Sequence, residues 1–419
     1  MNYIYSKVSC EKKFFGNSDP VQLSEKYGTP LYLYNENILR KRCRDLKGLI
    51  AYSNFAVNYS LKANSNLELI KIVRSEGLLA DAMSPGEIYL NILAGYKPEE
   101  ILYISNNVSV DEFRYAIHAG VKISVDSVSQ LEMFGKINPG GRVAFRVNPG
   151  FGAGHHEKVT TAGQKTKFGI EMNRIPEVKK IIKEYKLKLI GINQHIGSIF
   201  MDSEAYLQSA GNILSIARQF DDLEFIDLGG GFGIPYKKQS NQPRLDLKEL
   251  GGKLSEVIQS WVKEYGKDIQ FKIEPGRYIV AESSILLGKV NAIKTNYNIK
   301  YIGTDLGFNV LIRPVMYNSH HDIEIYRGND IPSLKEETVN IVGNICETGD
   351  IIAKQRRLPE IIENDILGVL DSGAYGYSMS SNYNSRLRPA EVLIEAGGNP
   401  RLIRRRDTLE DLVRNFISK

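Results

Sequence analysis

Cysteine is scarce: Cys10, Cys43 and Cys346 are the only three in 419 residues. An odd count without a Cys-x-x-Cys pair argues against a disulfide framework and fits a reducing, cytoplasmic setting. Long apolar runs are lacking too. No stretch approaches the roughly 18 residues that cross a bilayer. The N-terminus, with Asn2, Lys7, Glu11, Lys12 and Lys13 interspersed, has no apolar segment of the kind a signal peptide needs. A membrane partner is therefore not expected. Nor does charge of one sign dominate. Lys and Arg number 54 against 49 Asp and Glu, and no basic run exceeds three residues; the one at Arg404 to Arg406 is followed by Asp407. A solvated surface accounts for this better than a nucleic-acid patch. The paired histidines His155-His156 and His320-His321 lack metal-ligand spacing, so no metal is expected.

Hydrophobic residues, by contrast, make up 42% of the chain, ample for a large core, and the length predicts two domains. They recur in short runs that stop abruptly at polar residues or glycine: 55–62, 78–84, 101–106, 121–126, 143–148, 187–195, 223–229 and 271–274. Segments that can be helical lie between. Asn66 offers an N-cap, Leu67, Leu69, Ile70 and Val73 follow at helical spacing, and Gly77 marks the end. Eight such repeats predict an α/β fold, a (β/α)₈ TIM-like barrel over residues 30–282. Beyond 283 the strand-like runs 285–293, 301–305, 322–326, 338–342, 366–370 and 391–395 crowd together with few long helices. They predict a C-terminal all-β domain over 283–419, joined by residues 1–29 and closed by a short helix near 408–416.

Barrels of this kind carry their chemistry at the C-terminal ends of the strands. Here those ends hold Lys62, Asp81, Asn106, Asp126, Arg146, His195, the glycines 229–231 and Glu274. Each has two readings when taken singly. Lys62 is a buried amine with a covalent use or a solvated strand-end lysine. The glycine cluster after Asp227 is a phosphate cradle or a tight turn. Glu274-Pro-Gly-Arg277 offers a carboxylate for a ring nitrogen and a guanidinium for an anion, or a surface ion pair. His195 can stack on a flat ring, with Ser198 donating to phosphate, or simply pack. Cys346 is a proton donor, a nucleophile or inert filler. The Asp371-Ser-Gly-Ala-Tyr375-Gly turn is a site loop or plain packing.

In this order, Tyr59-Ser-Leu-Lys-Ala-Asn-Ser65, His195-Ile-Gly-Ser198, Asp227-Leu-Gly-Gly-Gly231, Glu274-Pro-Gly-Arg277, Ile312-Arg-Pro314 with Tyr317, Cys346-Glu347 and the run Asp371 to Asn384 resemble the fold-type III pyridoxal-phosphate-dependent decarboxylases. The likeness spans nearly the whole chain. It implies a barrel with an appended β domain, pyridoxal 5'-phosphate as cofactor and a homodimer with shared active sites. It also implies that Lys62 carries the cofactor through its ε-amino group and that His195 stacks on the ring. Ser198, Gly230, Gly231, Gly276 and Tyr375 would hold the phosphate and Glu274 would face the pyridine nitrogen, with Asp81 and Arg277 among the cofactor contacts. Cys346 would donate a proton from the other subunit.

Arg277, Arg313, Tyr317, Glu347 and Tyr375 match the family's substrate set. They imply meso-2,6-diaminopimelate as substrate and L-lysine and carbon dioxide as products. Two arginines suit a carboxylate that survives the reaction, and Glu347 suits its neighbouring ammonium. Ile199, Thr348 and the loop Phe151-Gly-Ala-Gly-His-His156 depart from the family's usual residues on the substrate side. A decarboxylase for another amino acid would not need Arg313 with Tyr317. A racemase of the same barrel type would release no carbon dioxide, and a non-catalytic homologue would not need Lys62 and Cys346.

Overall fold

The computed structural model describes residues 3–5, 7–150, 163, 166–328 and 335–417. They divide into two compact units, one of residues 40–234 and 243–279, the other of residues up to 39, 235–242 and from 280 onward. The loop 151–156, with its histidine pair, lies outside the described residues.

The first unit is a closed barrel of eight parallel strands. Phe55–Tyr59, Leu79–Ala82, Ile101–Ile104, Lys122–Val125 and Arg142–Asn148 follow in sequence, then Lys188–Asn193, Phe225–Asp227 and Gln270–Ile273, which pairs back onto Phe55–Tyr59. Each apolar run expected to be a strand is one. All but Arg142–Asn148 stop earlier than the runs suggest, because the polar residues that end them turn into loops. The helices between are built as their sequences dictate. Asn66 accepts from the Glu68 amide at the head of Leu67–Ser75. Ser109 and Glu112 cap Val110–Ala119 reciprocally, and Gly120 ends it at φ 73°. Inside the barrel a Cβ on Gly191 would lie 2.5 Å from the Phe225 ring. Glycine there makes room for an aromatic side chain in the interior layer.

The second unit is one mixed sheet of ten strands among the described residues. Its centre is the long strand Ser284–Asn296, which pairs with Ile366–Leu370, Leu31–Asn35 and Ile299–Thr304. Leu31–Asn35 also pairs in parallel with Ala390–Ile394. This corrects the boundary read from sequence. Residues 31–39, expected to begin the barrel, supply a fully buried strand of the sheet instead. Residues 235–242, inside the expected barrel span, group with the sheet as well. Two further strands, Ile351–Pro359 and Pro400–Arg404, were not legible. The first carries exposed Lys354 and Arg357 and the second exposed Arg401 and Arg404, which break the alternation. Tyr3–Tyr5 pairs with Ile323–Tyr326, so the N-terminus does add a strand. Among the described residues no helix is long and apolar enough to cross a membrane.

Candidate active site

Lys62 does not end a strand. Phe55–Tyr59 stops short of it, and Lys62 sits in the single turn Leu61–Ala63. Asp81, at the end of the next strand, makes that turn. Its carboxylate accepts from the Ser60 hydroxyl at 2.7 Å and the Leu61 amide at 3.1 Å. The alternation that aligned Asn58, Ser60 and Lys62 on one face therefore breaks at Ser60, and Lys62 is aimed by the turn. The charge on Lys62 acts on Asp81, Glu87, His195 and Glu274, so the ammonium lies among the groups expected to meet a cofactor. Burial lifts the Asp81 carboxyl to about 7 despite Lys62.

The glycine cluster is a close-packed cradle. Gly229 and Gly231 take φ values of 79° and 105°, where only glycine is unstrained. A Cβ on Gly230, whose φ is ordinary, would fall 2.0 Å from the Glu274 carbonyl oxygen, and one on Gly276 would fall 2.8 Å from the Ala63 Cβ. Arg277 donates to the Ser198 hydroxyl at 3.1 Å, which brings the His-Ile-Gly-Ser and Glu-Pro-Gly-Arg motifs together.

His195 accepts at Nδ1 from the Gly230 amide, 3.2 Å away. That bond fixes the neutral tautomer with its hydrogen on Nε2. Burial and the cations Lys62 and Arg146 hold the imidazole well below its ordinary pKa. Glu274 is 7% exposed, and its Oε1 has no hydrogen-bond partner among the described residues. Burial, then Asp227 and Asp81, raise its carboxyl well above the usual range. A buried carboxyl oxygen left open costs stability in isolation. A donor brought up to that oxygen would satisfy it.

Arg146 was legible only as a polar strand end. It donates to the His195 carbonyl at 3.2 Å, lies 4.6 Å over the Phe168 ring and pairs with Asp126 at 3.9 Å. Asn106 donates to the same Asp126. This group supports His195 from behind. No motif pointed to it; its signal was the polar end of three successive strands.

The second unit holds the remaining candidates. Cys346 is exposed, and its amide donates to Asn384 at 3.0 Å. The Glu347 carboxylate accepts from the Tyr383 hydroxyl at 2.6 Å. Tyr383 in turn stacks on Phe308. Arg313 opens the helix Arg313–Tyr317 and is buried. Tyr375 stands in left-handed backbone, φ 57°, a conformation costly for a tyrosine and common at functional positions. Gly373 and Gly376 bracket it, and Cβ atoms there would meet the Val280 and Ser372 carbonyl oxygens at 2.0 and 2.3 Å. Tyr383 and Asn384 were quoted within a motif but given no role. His320 Nε2 lies 2.9 Å from both Asp322 and Arg356, so this histidine is held by charged side chains.

Residues 36–281 match the family described as "Pyridoxal-dependent decarboxylase, pyridoxal binding domain". The chain is 44% identical to the diaminopimelate decarboxylase of Methanothermobacter thermautotrophicus, over 95% of this chain and 94% of that one. It is 36% identical to the diaminopimelate decarboxylase of Archaeoglobus fulgidus, over 94% of each. Among solved structures, diaminopimelate decarboxylase from Helicobacter pylori complexed with L-lysine superposes with a TM-score of 0.86 at 30% identity, over 94% of this chain and 98% of that one.

Proposed function

This chain belongs to the pyridoxal-dependent decarboxylases, and within them to the diaminopimelate decarboxylases; from that membership we propose that it converts meso-2,6-diaminopimelate to L-lysine and carbon dioxide. The observation that carries this reading is the open, buried Oε1 of Glu274 beside the Lys62 charge and the cradle of Gly229, Gly230, Gly231 and Gly276. An amine, a glycine cradle and a buried carboxyl with an open oxygen are the three fittings that pyridoxal 5'-phosphate requires.

By likeness to the family, Lys62 would hold the cofactor covalently, the glycines with Ser198 and Tyr375 would hold its phosphate, and the neutral His195 imidazole would pack against it. When bound, the cofactor supplies an electron-poor ring that takes up the electron pair left by departing carbon dioxide. Glu274, whose carboxyl is raised by burial, would share a proton with the ring nitrogen. Arg277 and Arg313 grip the carboxylate that stays, and Glu347 meets the ammonium beside it. Loss of carbon dioxide breaks one carbon–carbon bond, and a proton must be added at the same carbon. The Cys346 thiol donates it and is reprotonated from solvent; a positioned acid contributes about 10²–10⁴-fold. Its exposed loop suits delivery to a second copy of the chain, so the working assembly is a homodimer. A reducing cytoplasm keeps that thiol unoxidised.

Substrates without the distal carboxylate leave two arginines unmatched. A site built to hydrogen-bond a group can discriminate by about 10⁴–10⁵-fold against an analogue lacking it. Purified protein supplied with pyridoxal phosphate and meso-2,6-diaminopimelate should form equal amounts of L-lysine and carbon dioxide. Lys62→Ala should abolish turnover and the absorbance of covalently held cofactor. Full turnover in that variant would refute the assignment.

A further inference from the structure

Arg313 and His321 lie against each other in the strand-rich unit, and their contact fixes the position of a proton. After the helix Arg313–Tyr317, Asn318 takes left-handed backbone at φ 51° and reverses the chain, which returns His321 to Arg313. Both are buried, at 2% and 1% exposure. His321 Nε2 lies 2.7 Å from Arg313 Nη1, and His321 Nδ1 lies 2.7 Å from the Leu370 carbonyl oxygen. A carbonyl only accepts and a guanidinium only donates. His321 must therefore carry its hydrogen on Nδ1 and present a lone pair at Nε2. Tyr236 completes the arrangement. The guanidinium lies 4.7 Å over its ring, and the imidazole meets the same ring edge-on at 5.3 Å.

We propose that His321 is the positioning residue for Arg313: as a neutral imidazole it sets the direction in which the guanidinium meets the carboxylate that the substrate retains. The inference rests on the reading of Arg313 given above. A flexible arginine gains affinity when one N–H is committed to a fixed acceptor and its plane is held by a stack, because less freedom remains to be lost on binding. Protonated His321 would instead set a donor against a donor and a cation beside a buried cation. The charged and titratable groups around the imidazole are Arg313, the Tyr236 ring, and Arg356, which donates to the His321 carbonyl. The flanking His320–Asp322 pair and, one residue past Leu370, Asp371 with Lys238 complete them.

The test uses cofactor-loaded enzyme and L-lysine, which keeps the carboxylate in question, with pentane-1,5-diamine, which lacks it, as control. His321→Phe retains a flat ring against Tyr236 and removes the acceptor; His321→Gln retains an acceptor. The expected result for His321→Phe is L-lysine binding weakened about tenfold or more, with KM for meso-2,6-diaminopimelate rising alike and kcat moving far less. His321→Gln should recover most of the loss, and diamine binding should change in neither. If His321→Phe leaves L-lysine binding intact while Arg313→Ala destroys it, the inference fails and the carboxylate reading survives. If Arg313→Ala also binds L-lysine normally, both fall.

Discussion

Asp81, Asp227 and Glu274 are three carboxyl groups buried where the barrel strands end, and burial raises the pKa of each. Asp227 illustrates the consequence. Its folded-state pKa is lifted to about 6 from 3.8, so between those values the native chain binds a proton that the unfolded chain has released. Stability then falls as pH rises through that window. Thermal melting of cofactor-free protein from pH 4 to 7 should show this decline, and Asp227→Asn should flatten it, since an amide does not ionise. Glu274→Gln removes the carboxyl proposed to share a proton with the ring nitrogen. Its expected loss is about 10²-fold or more in kcat with little change in KM, read by steady-state kinetics. Cys43 is a contrasting case. It is buried, and burial pushes its thiol up to about 12, so it packs as a small apolar residue. Native protein at pH 8 should leave Cys43 unlabelled by iodoacetamide, while Cys10, which is exposed, reacts.

The elements show why sequence periodicity located the strands and missed how they end. Asn66 is a local signal, an acceptor one residue before an apolar helix, and the helix starts there. Asn66→Ala should lower stability by about 1 kcal/mol in urea denaturation. The end of Phe55–Tyr59 depends instead on Asp81, 21 residues beyond Ser60 in sequence, and no local pattern announces that contact. The glycine motif sits between these cases. Its composition was plain, but the reason for Gly230 is not a special φ. It is the Glu274 carbonyl oxygen, 2.0 Å from where a Cβ would stand. Gly230→Ala should therefore push the Asp227 and Glu274 strand ends apart and reduce cofactor binding at least about tenfold, measured by equilibrium titration with pyridoxal phosphate. The mutation should do so even if the fold survives.

At the scale of the whole molecule, sequence order and spatial grouping part company. Lys12, Lys238, Glu282 and Asp371 come from four distant places yet form one chain of ion pairs in the strand-rich unit. Burial lowers the Lys238 pKa, but Asp371 and Glu282 outweigh it and leave it raised. A raised lysine contributes stability through neutral pH and loses it only in strong alkali. Lys238→Met would strand the buried Asp371 carboxylate and leave Glu282 to Lys12 alone, and the expected cost is about 3–5 kcal/mol, read from the urea midpoint at pH 7. Nothing in the run around residue 238 marked it as part of the sheet unit, because its partners lie 44 and 133 residues further on.

Short-range chemistry was determined by the sequence alone: which apolar runs become strands, where helices are capped, and which motifs bear an amine, a glycine cradle and a buried carboxyl. Those features depend on residues within a few positions of one another. The tertiary structure decided that residues 31–39 and 235–242 group with the sheet, that Asp81 turns the chain at Lys62, and that Leu370 and Arg313 together fix the proton on His321. Each of these depends on hydrogen bonds between backbone and side-chain groups from different parts of the chain, whose partners are chosen by packing and leave no periodic trace in sequence.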